Sequence, residues 1–255
     1  MFAARGGFLF PSGRTARTLT PTNQAQISTA ESKFGGASAR FDGSGDYVTM
    51  TATTDVIFGT ADFTWEFWFR TVSKPTSGNG RFPVMLKNNG AGAFATGQKW
   101  IGVYDRHEST NNNTKITVWC PYYFYPIAQG GLGGNGPLLR SSTTISNNTW
   151  YHVAVTRTSG VFKLWVNGNN EATTTATIDL ENPGTTQRDM RIGMGDIVND
   201  NSYNGYIDEL RVSNIARYSA NFTPQTAAFT NDTNTLLLMH ADGTNGSTTF
   251  TDDNG

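Results

Sequence analysis

A glycosidase needs two carboxylates set across one site. The acids on strand-like runs of this chain do not make such a pair. Glu66 stands in the alternating run from Asp62 to Arg70 with no acid two positions away, and Asp208 and Glu209 are adjacent, so a strand sends them to opposite faces. Asp208 shares its predicted face with Tyr206, Leu210 and Val212, so it must be hydrogen-bonded or metal-bound to be tolerated there. Glu209 and Arg211, on the other face, are spaced as a charge pair. Asp196 and Asp200, with Asn199 and Asn201 between and beside them, put hard oxygen ligands in one loop. That chemistry suits calcium, without the spacing of an EF-hand. The three histidines, His107, His152 and His240, have no partner at zinc or triad spacing. His152 reads as a structural hydrogen bonder. Gly130 to Gly136 is not a phosphate loop, because no Lys-Ser or Lys-Thr follows. The best binding candidates are Tyr122, Tyr123, Phe124 and Tyr125. Their flat faces and hydroxyl tips can stack on sugars, anchor in a partner subunit or pack back onto the domain.

Strands must position these groups. In residues 150–168, Tyr151, Val153 and Val155 alternate with His152, Ala154 and Thr156. Thr158-Ser159-Gly160 then turns the chain, and Phe162, Leu164 and Val166 alternate on the return as far as Asn167-Gly168. The spacing predicts a β-hairpin. Phe63, Trp65, Phe67 and Phe69 share one face of another strand. Trp68 on its opposite face predicts that this side is covered too. Ser38–Met50 reads as strand, turn, strand, with Asp42, Gly43, Gly45 and Asp46 in the turn, and further strands are expected around Val84–Leu86, Trp100–Tyr104, Lys115–Trp119, Thr173–Leu180, Met190–Gly195, Gly205–Ser213 and Thr235–His240. One helical turn is expected at Asn214–Ser219. Residues 120–140 form a long aromatic and glycine-rich loop, the kind that is often functional.

The bulk properties exclude several classes. A net charge of −1 with 15% charged residues and no basic cluster argues against nucleic acid or an anionic membrane as partner. No apolar run approaches the roughly 18 residues needed to span a bilayer, so membrane insertion is not expected. Cys120 is the single cysteine and has no partner for an internal disulfide, so a core must supply the stability. The amino terminus is a poor signal peptide. Residues 1–30, polar with Arg5, Arg14 and Arg17, read as an arm, either free or docked on a neighbour; residues 31–255 read as one β domain.

Phe41-Asp42-Gly43 with Asp46-Tyr47-Val48, then Phe63 to Trp68, Trp150 to Val155, Val166-Asn167-Gly168 and Gly205 to Val212 resemble, in that order, the laminin G-like domains of the concanavalin A-like lectin/glucanase superfamily. The resemblance implies an all-β, antiparallel two-sheet jelly-roll sandwich. The superfamily's glucanases alternate their acids on a strand, a pattern missing here, and laminin G-like folds sometimes hold calcium at a rim, as Asp196, Asp200 and Asp208 could. Ala25 to Gly36 and Leu236 to Asp252 are similar to versions of this domain in virion structural proteins of tailed bacteriophages. That likeness implies a non-enzymatic virion component serving in assembly contact or adhesion to a cell-surface glycan. Other virion proteins and further copies of itself would be its partners, and no cofactor is required. A free carbohydrate-binding lectin and a degraded glycoside hydrolase are the alternatives. The Leu-Leu-Leu segment, which commonly opens such domains, closes this chain. It either fills its own sandwich or is donated to another copy.

Overall fold

The computed structural model describes residues 16–51, 56, 58–75, 81–87, 100–108, 113–120, 138–180, 189–194 and 202–254. Among them run β1 (Leu19–Thr22), β2 (Gln26–Ser28), β3 (Ser38–Asp42), β4 (Tyr47–Thr51), β5 (Phe63–Thr71), β6 (Arg81–Lys87), β7 (Trp100–Glu108), β8 (Asn113–Trp119), β9 (Leu139–Thr144), β10 (Trp150–Thr158), β11 (Val161–Val166), β12 (Asn169–Thr175), β13 (Asp189–Ile192), β14 (Asn204–Ser213) and β15 (Thr235–Met239). They form two antiparallel sheets in a jelly-roll sandwich. The seven-stranded sheet has the order β1-β4-β13-β6-β7-β8-β9. The eight-stranded one has the order β12-β11-β10-β5-β14-β3-β2, with β15 added beside β14.

The predicted hairpin is β10 and β11, paired from Val153↔Val166 to Thr158↔Val161. Ser159 (φ 47°) and Gly160 (φ 79°) both take positive φ, which gives the tight connection the twist that strands need. Asn167 (φ 48°) and Gly168 (φ 80°) repeat the device before β12. Phe63, Trp65, Phe67 and Phe69 of β5 meet Val153, Val155, Phe162 and Leu164 in the core, all at most 2% exposed. Each such aromatic or aliphatic side chain contributes about 1.5–3 kcal/mol of burial.

Four expectations are corrected. Residues 1–15 lie outside the described residues, but from Leu19 the predicted arm is part of the sandwich. β1 pairs with β4 in one sheet and β2 with β3 in the other, and Ala25 and Ile27 are buried. These few apolar residues are enough because each edge offers them a ready-made hydrogen-bonding partner. The predicted strand ending at Leu180 is β12, which ends at Thr175. Residues 214–219 form no helical turn. Alternation along β14 breaks at a β-bulge between Asp208 and Arg211, where Glu209 takes φ 54°. The extra residue resets the faces. Ile207, Leu210 and Val212 therefore point to the core, whereas Asp208 lies opposite Trp68 and Arg211 opposite Glu66, on the outer side.

The closing strand stays at home. β15 pairs Met239 with Leu210 and Leu237 with Val212, filling the half of β14 that β3 leaves open. Asp252 then fastens the tail by accepting from the backbone N–H of Arg17 (3.0 Å) and of Leu238 (3.1 Å). Phe250 bridges to Leu19.

Candidate functional site

The outer faces of the two sheets differ, and the difference locates the site. Residues 214–234 cross the outer face of the eight-stranded sheet. Thr64 Oγ1 donates to the Ile215 carbonyl and accepts from the Arg217 N–H, while Glu209 accepts from the Phe229 N–H (2.6 Å). The Phe222 N–H donates to the Gly168 carbonyl (2.9 Å). Any side chain at Gly168 would collide with Phe222, since a Cβ there would sit 1.8 Å from its carbonyl oxygen. The predicted cover over Trp68 is therefore present. Phe34, Phe229 and Leu238 supply it, as irregular chain and an edge strand in place of a stacked sheet.

Beneath that cover Glu66 is fully buried and fully engaged. Arg211 approaches its Oε1 at 2.7 Å through Nη2 and 2.8 Å through Nε. The Tyr218 hydroxyl donates to Oε2 at 2.6 Å, and His152 Nε2 lies 3.4 Å from the same oxygen. Burial works to raise the Glu66 carboxyl, but His152, Arg211 and Tyr218 outweigh it and leave the group below its ordinary value. This carboxylate is a structural anchor with no solvent access.

The outer face of the seven-stranded sheet is built differently. Core residues Met190, Ile192, Ile116, Val118, Ile101 and Val103 alternate with neighbours that point away, so β13, β7 and β8 send out Asp189, Arg191, Tyr104, Arg106, Lys115, Thr117 and Trp119. Register aligns Thr49, Arg191, Met85, Gly102 and Trp119 in one row across five strands. From Arg191 to Trp119 that row spans about 14 Å at 4.8 Å per strand. Beside it, Tyr104, Thr117 and Arg140 make a second row. Trp119 is half-buried and meets Tyr104 edge-on at 6.1 Å, with Arg106 5.7 Å from its ring centre. Arg191 lies 5.6 Å from the Tyr47 ring centre and 3.5 Å from Asp189.

Several donors on this face have nothing to bond. Arg191 is 5% exposed, yet its Nε and Nη1 make no hydrogen bond; the hydroxyl of the fully buried Thr117 makes none either. Trp68 Nε1, both His152 ring nitrogens and Asp208 Oδ1 on the eight-stranded side are buried and unbonded as well, so this feature is common to both faces. What the seven-stranded face can do is stack the accessible part of the Trp119 ring on a sugar, with the Arg106 guanidinium beside it.

The residues predicted from sequence fall elsewhere. Tyr122, Tyr123, Phe124 and Tyr125 lie outside the described residues, in the connection that leaves β8 directly after Trp119 and Cys120. Asp196 and Asp200 also lie outside them. For Asp208 the backbone alternative holds: Oδ2 accepts from the N–H groups of Lys33 (2.7 Å) and Phe34 (3.1 Å). Burial raises its carboxyl to about 7, with Glu209 and Asp242 adding repulsion. Among the described residues no three His, Cys, Asp or Glu side chains are grouped to hold a metal ion. The bulge also undoes the expected Glu209–Arg211 pair, since Arg211 turns to Glu66 and Glu209 to His240 Nδ1 at 2.8 Å. Sequence reasoning missed Arg191, Thr117 and Trp119 as a group. The available signal was a large or charged residue alternating with apolar ones in Met190-Arg191-Ile192 and Ile116-Thr117-Val118-Trp119.

A two-sheet antiparallel jelly roll with one face closed by its own chain belongs to the lectin-like class of β-sandwiches. The chain is a member of the concanavalin A-like lectin/glucanases superfamily: the laminin G-type model of that description matches residues 42–221. Among curated proteins, no sequence matches. Solved structures share the fold at low identity. A candidate carbohydrate binding protein from Bacteroides ovatus matches at 18% identity and TM-score 0.54, over 80% of this chain and 51% of that one. Domain 4 of an extracellular arabinanase from Geobacillus stearothermophilus, solved in complex with arabinotriose, matches at 16% and 0.53, over 78% and 82%. The enzymatically active domain of tailspike protein 2 of bacteriophage CBA120 matches at 10% and 0.54, over 82% and 30%. The chain thus spans about half the first of these proteins and under a third of the last.

Proposed function

We propose that this chain is a non-catalytic carbohydrate-binding sandwich carried on a bacteriophage virion, where it contacts other virion proteins and adheres to a cell-surface glycan. One observation carries the sugar-binding reading: the outer face of the seven-stranded sheet sets the half-buried Trp119 edge-on to Tyr104 with the Arg106 guanidinium 5.7 Å from its ring centre, an aromatic face flanked by a polar group. Sugar sites combine such aromatic faces with a few placed polar groups. The virion reading draws on the phage-like segments at Ala25 to Gly36 and Leu236 to Asp252, and on a fold shared with a tailspike domain.

Carboxylate spacing supports binding without hydrolysis. Among the described side chains that the strands of the seven-stranded sheet send outward, Asp189 is the one acid, whereas a glycosidase works with two carboxylates within about 9.5 Å of each other. Glu66 is sealed under residues 214–234, and Asp105 points into the core.

Titration calorimetry of the full chain against neutral arabino- and cello-oligosaccharides and acidic oligogalacturonates tests the reading. At least one should bind with Kd below about 1 mM, Trp119→Ala should weaken it at least about tenfold, and no sugar should be released. The absence of binding across the panel, or full-strength binding by Trp119→Ala, would contradict it. Imaging purified particles labelled against this chain tests the virion location.

A further inference from the structure

An open strand edge is a template for another chain, so a sandwich must cover the outer strands of its sheets. On one side β12 and β9 cover each other: Glu171 accepts from the N–H (2.9 Å) and the hydroxyl of Thr143. On the other side both edges depend on one segment, the tail beyond β15. The Ile27 N–H on the free side of β2 donates to the Ser247 carbonyl (2.7 Å), and the Gly246 N–H donates back to the Ile27 carbonyl (2.8 Å). Phe250 bridges to Leu19 on the free side of β1.

The tail is joined to the body through a strained and crowded hinge. Ala241 takes φ 58°, a left-handed conformation that a residue other than glycine adopts only when its surroundings impose it. Asp242 presses on Gly35 so closely that a Cβ there would sit 2.0 Å from Oδ1. His240 is held from two sides, by Glu209 of β14 at Nδ1 (2.8 Å) and by Asp253 of the returning tail at its backbone N–H (3.0 Å). Glu209 is buried, and its other oxygen accepts from the Phe229 N–H. Asp208 precedes it on β14. Cations of the neighbouring elements are engaged elsewhere: Lys33 lies 4.0 Å from the Trp68 ring centre, Arg70 pairs with Glu31 and Arg211 with Glu66. His240 is therefore the side chain that can set a positive charge among these four carboxylates.

We propose that His240 is the catch of a pH-sensitive strap: protonated, it holds residues 240–254 across the edges of β1 and β2, and deprotonated, it lets the strap lift and uncovers both edges. The hydrogen bond to Glu209 raises the imidazole above its ordinary 6.5 against the effect of burial, with Asp253 and Asp242 adding to the rise. The catch is thus fully closed below about pH 6.5 and opens as pH climbs through the raised value. Burial also raises the carboxyls of Asp242 and of Asp208, the latter to about 7, so their ionisation adds repulsion in the same direction.

Hydrogen exchange on the full chain at about pH 5.5 and about pH 8.5, expressed as protection factors so that the intrinsic pH dependence of exchange drops out, tests the strap. Protection at Ile27 and across residues 244–252 should fall at least about tenfold at the higher pH, the change that one pKa unit of coupling gives, while β10 and β11 keep theirs. His240→Lys, charged at both pH values, should keep the strap closed at the higher one. His240→Gln, never charged, should leave it open at the lower. If His240→Gln weakens the whole fold, Asp242→Asn takes its place and should move the opening to higher pH. Equal tail protection at both pH values, a loss shared with β10, or a pH dependence undiminished by these substitutions overturns the proposal.

Discussion

The two outer faces of the sandwich carry the same kinds of residue, aromatic rings with arginines and carboxylates between them, and one of the two is crossed by the chain itself. On the eight-stranded side Glu66 binds Arg211 and Tyr218, Tyr218 stacks on Phe222 at 3.5 Å between ring centres, and residues 214–234 shut the assembly from water. On the seven-stranded side Arg191 and Thr117 end in donors with no acceptor. Composition alone does not separate an anchor from a binding site. What distinguishes the eight-stranded face is that residues 214–234 cross it and complete the ion pairs of Glu66 and Arg217, although Trp68 Nε1, both His152 ring nitrogens and Asp208 Oδ1 there also make no hydrogen bond.

The largest expected effect breaks the closed side. Arg211→Ala leaves Glu66 buried and uncompensated and should cost about 3–5 kcal/mol of stability in chemical denaturation. Arg191→Ala removes a cation that the fold pairs only loosely, with Asp189 at 3.5 Å, so its stability cost should stay under about 1 kcal/mol. Equal destabilisation by the two substitutions would erase the comparison. Gly168→Ala comes next. It forces a side chain into a left-handed turn at φ 80° and against the Phe222 carbonyl, and should cost about 1–3 kcal/mol and speed proteolysis within residues 214–234.

A smaller effect is electrostatic. Burial raises the carboxyls of Asp105 and Asp208 to about 7, so between about pH 4 and 7 the folded chain holds protons that the unfolded chain, with aspartate near 3.9, has released. Stability therefore falls as pH rises through that window. His240, raised by its bond to Glu209, acts in the same sense. Melting should be higher at pH 5 than at pH 7.5, and Asp105→Asn with Asp208→Asn should flatten the difference. Below about pH 4 the trend reverses, as Asp232, held low by Arg217, takes up its proton. Smallest is the effect of metal removal. Excess chelator should leave the melting temperature unchanged, and a drop would put calcium in the loop of Asp196 and Asp200.

Much of the architecture was legible because it depends on local periodicity. The hairpin at residues 150–166 follows from two-residue alternation and a Ser-Gly turn, and the aromatic face of β5 marks the core directly. The reversal along β14 was not legible: nothing in Tyr206-Ile207-Asp208-Glu209-Leu210 announces that Glu209 will take a left-handed conformation, and one extra residue puts Asp208 on the same outer face as Arg211. The proposed binding face was hidden for another reason. Trp119 and Arg191 are 72 positions apart and become neighbours in one row only through the pairing of β13, β6, β7 and β8. The arm ending at residue 30 failed because short polar strands gain their stability from the edges they complete, a property of the partner strand.

The most direct measurement is hydrogen exchange on the full chain, with and without a saturating amount of the tightest-binding sugar of the calorimetric panel. Slowed exchange across β7, β8 and β13, with residues 214–234 and β10 unchanged, is the result this account predicts. Protection centred on residues 214–234, or on β5 and β10 beneath them, would contradict it.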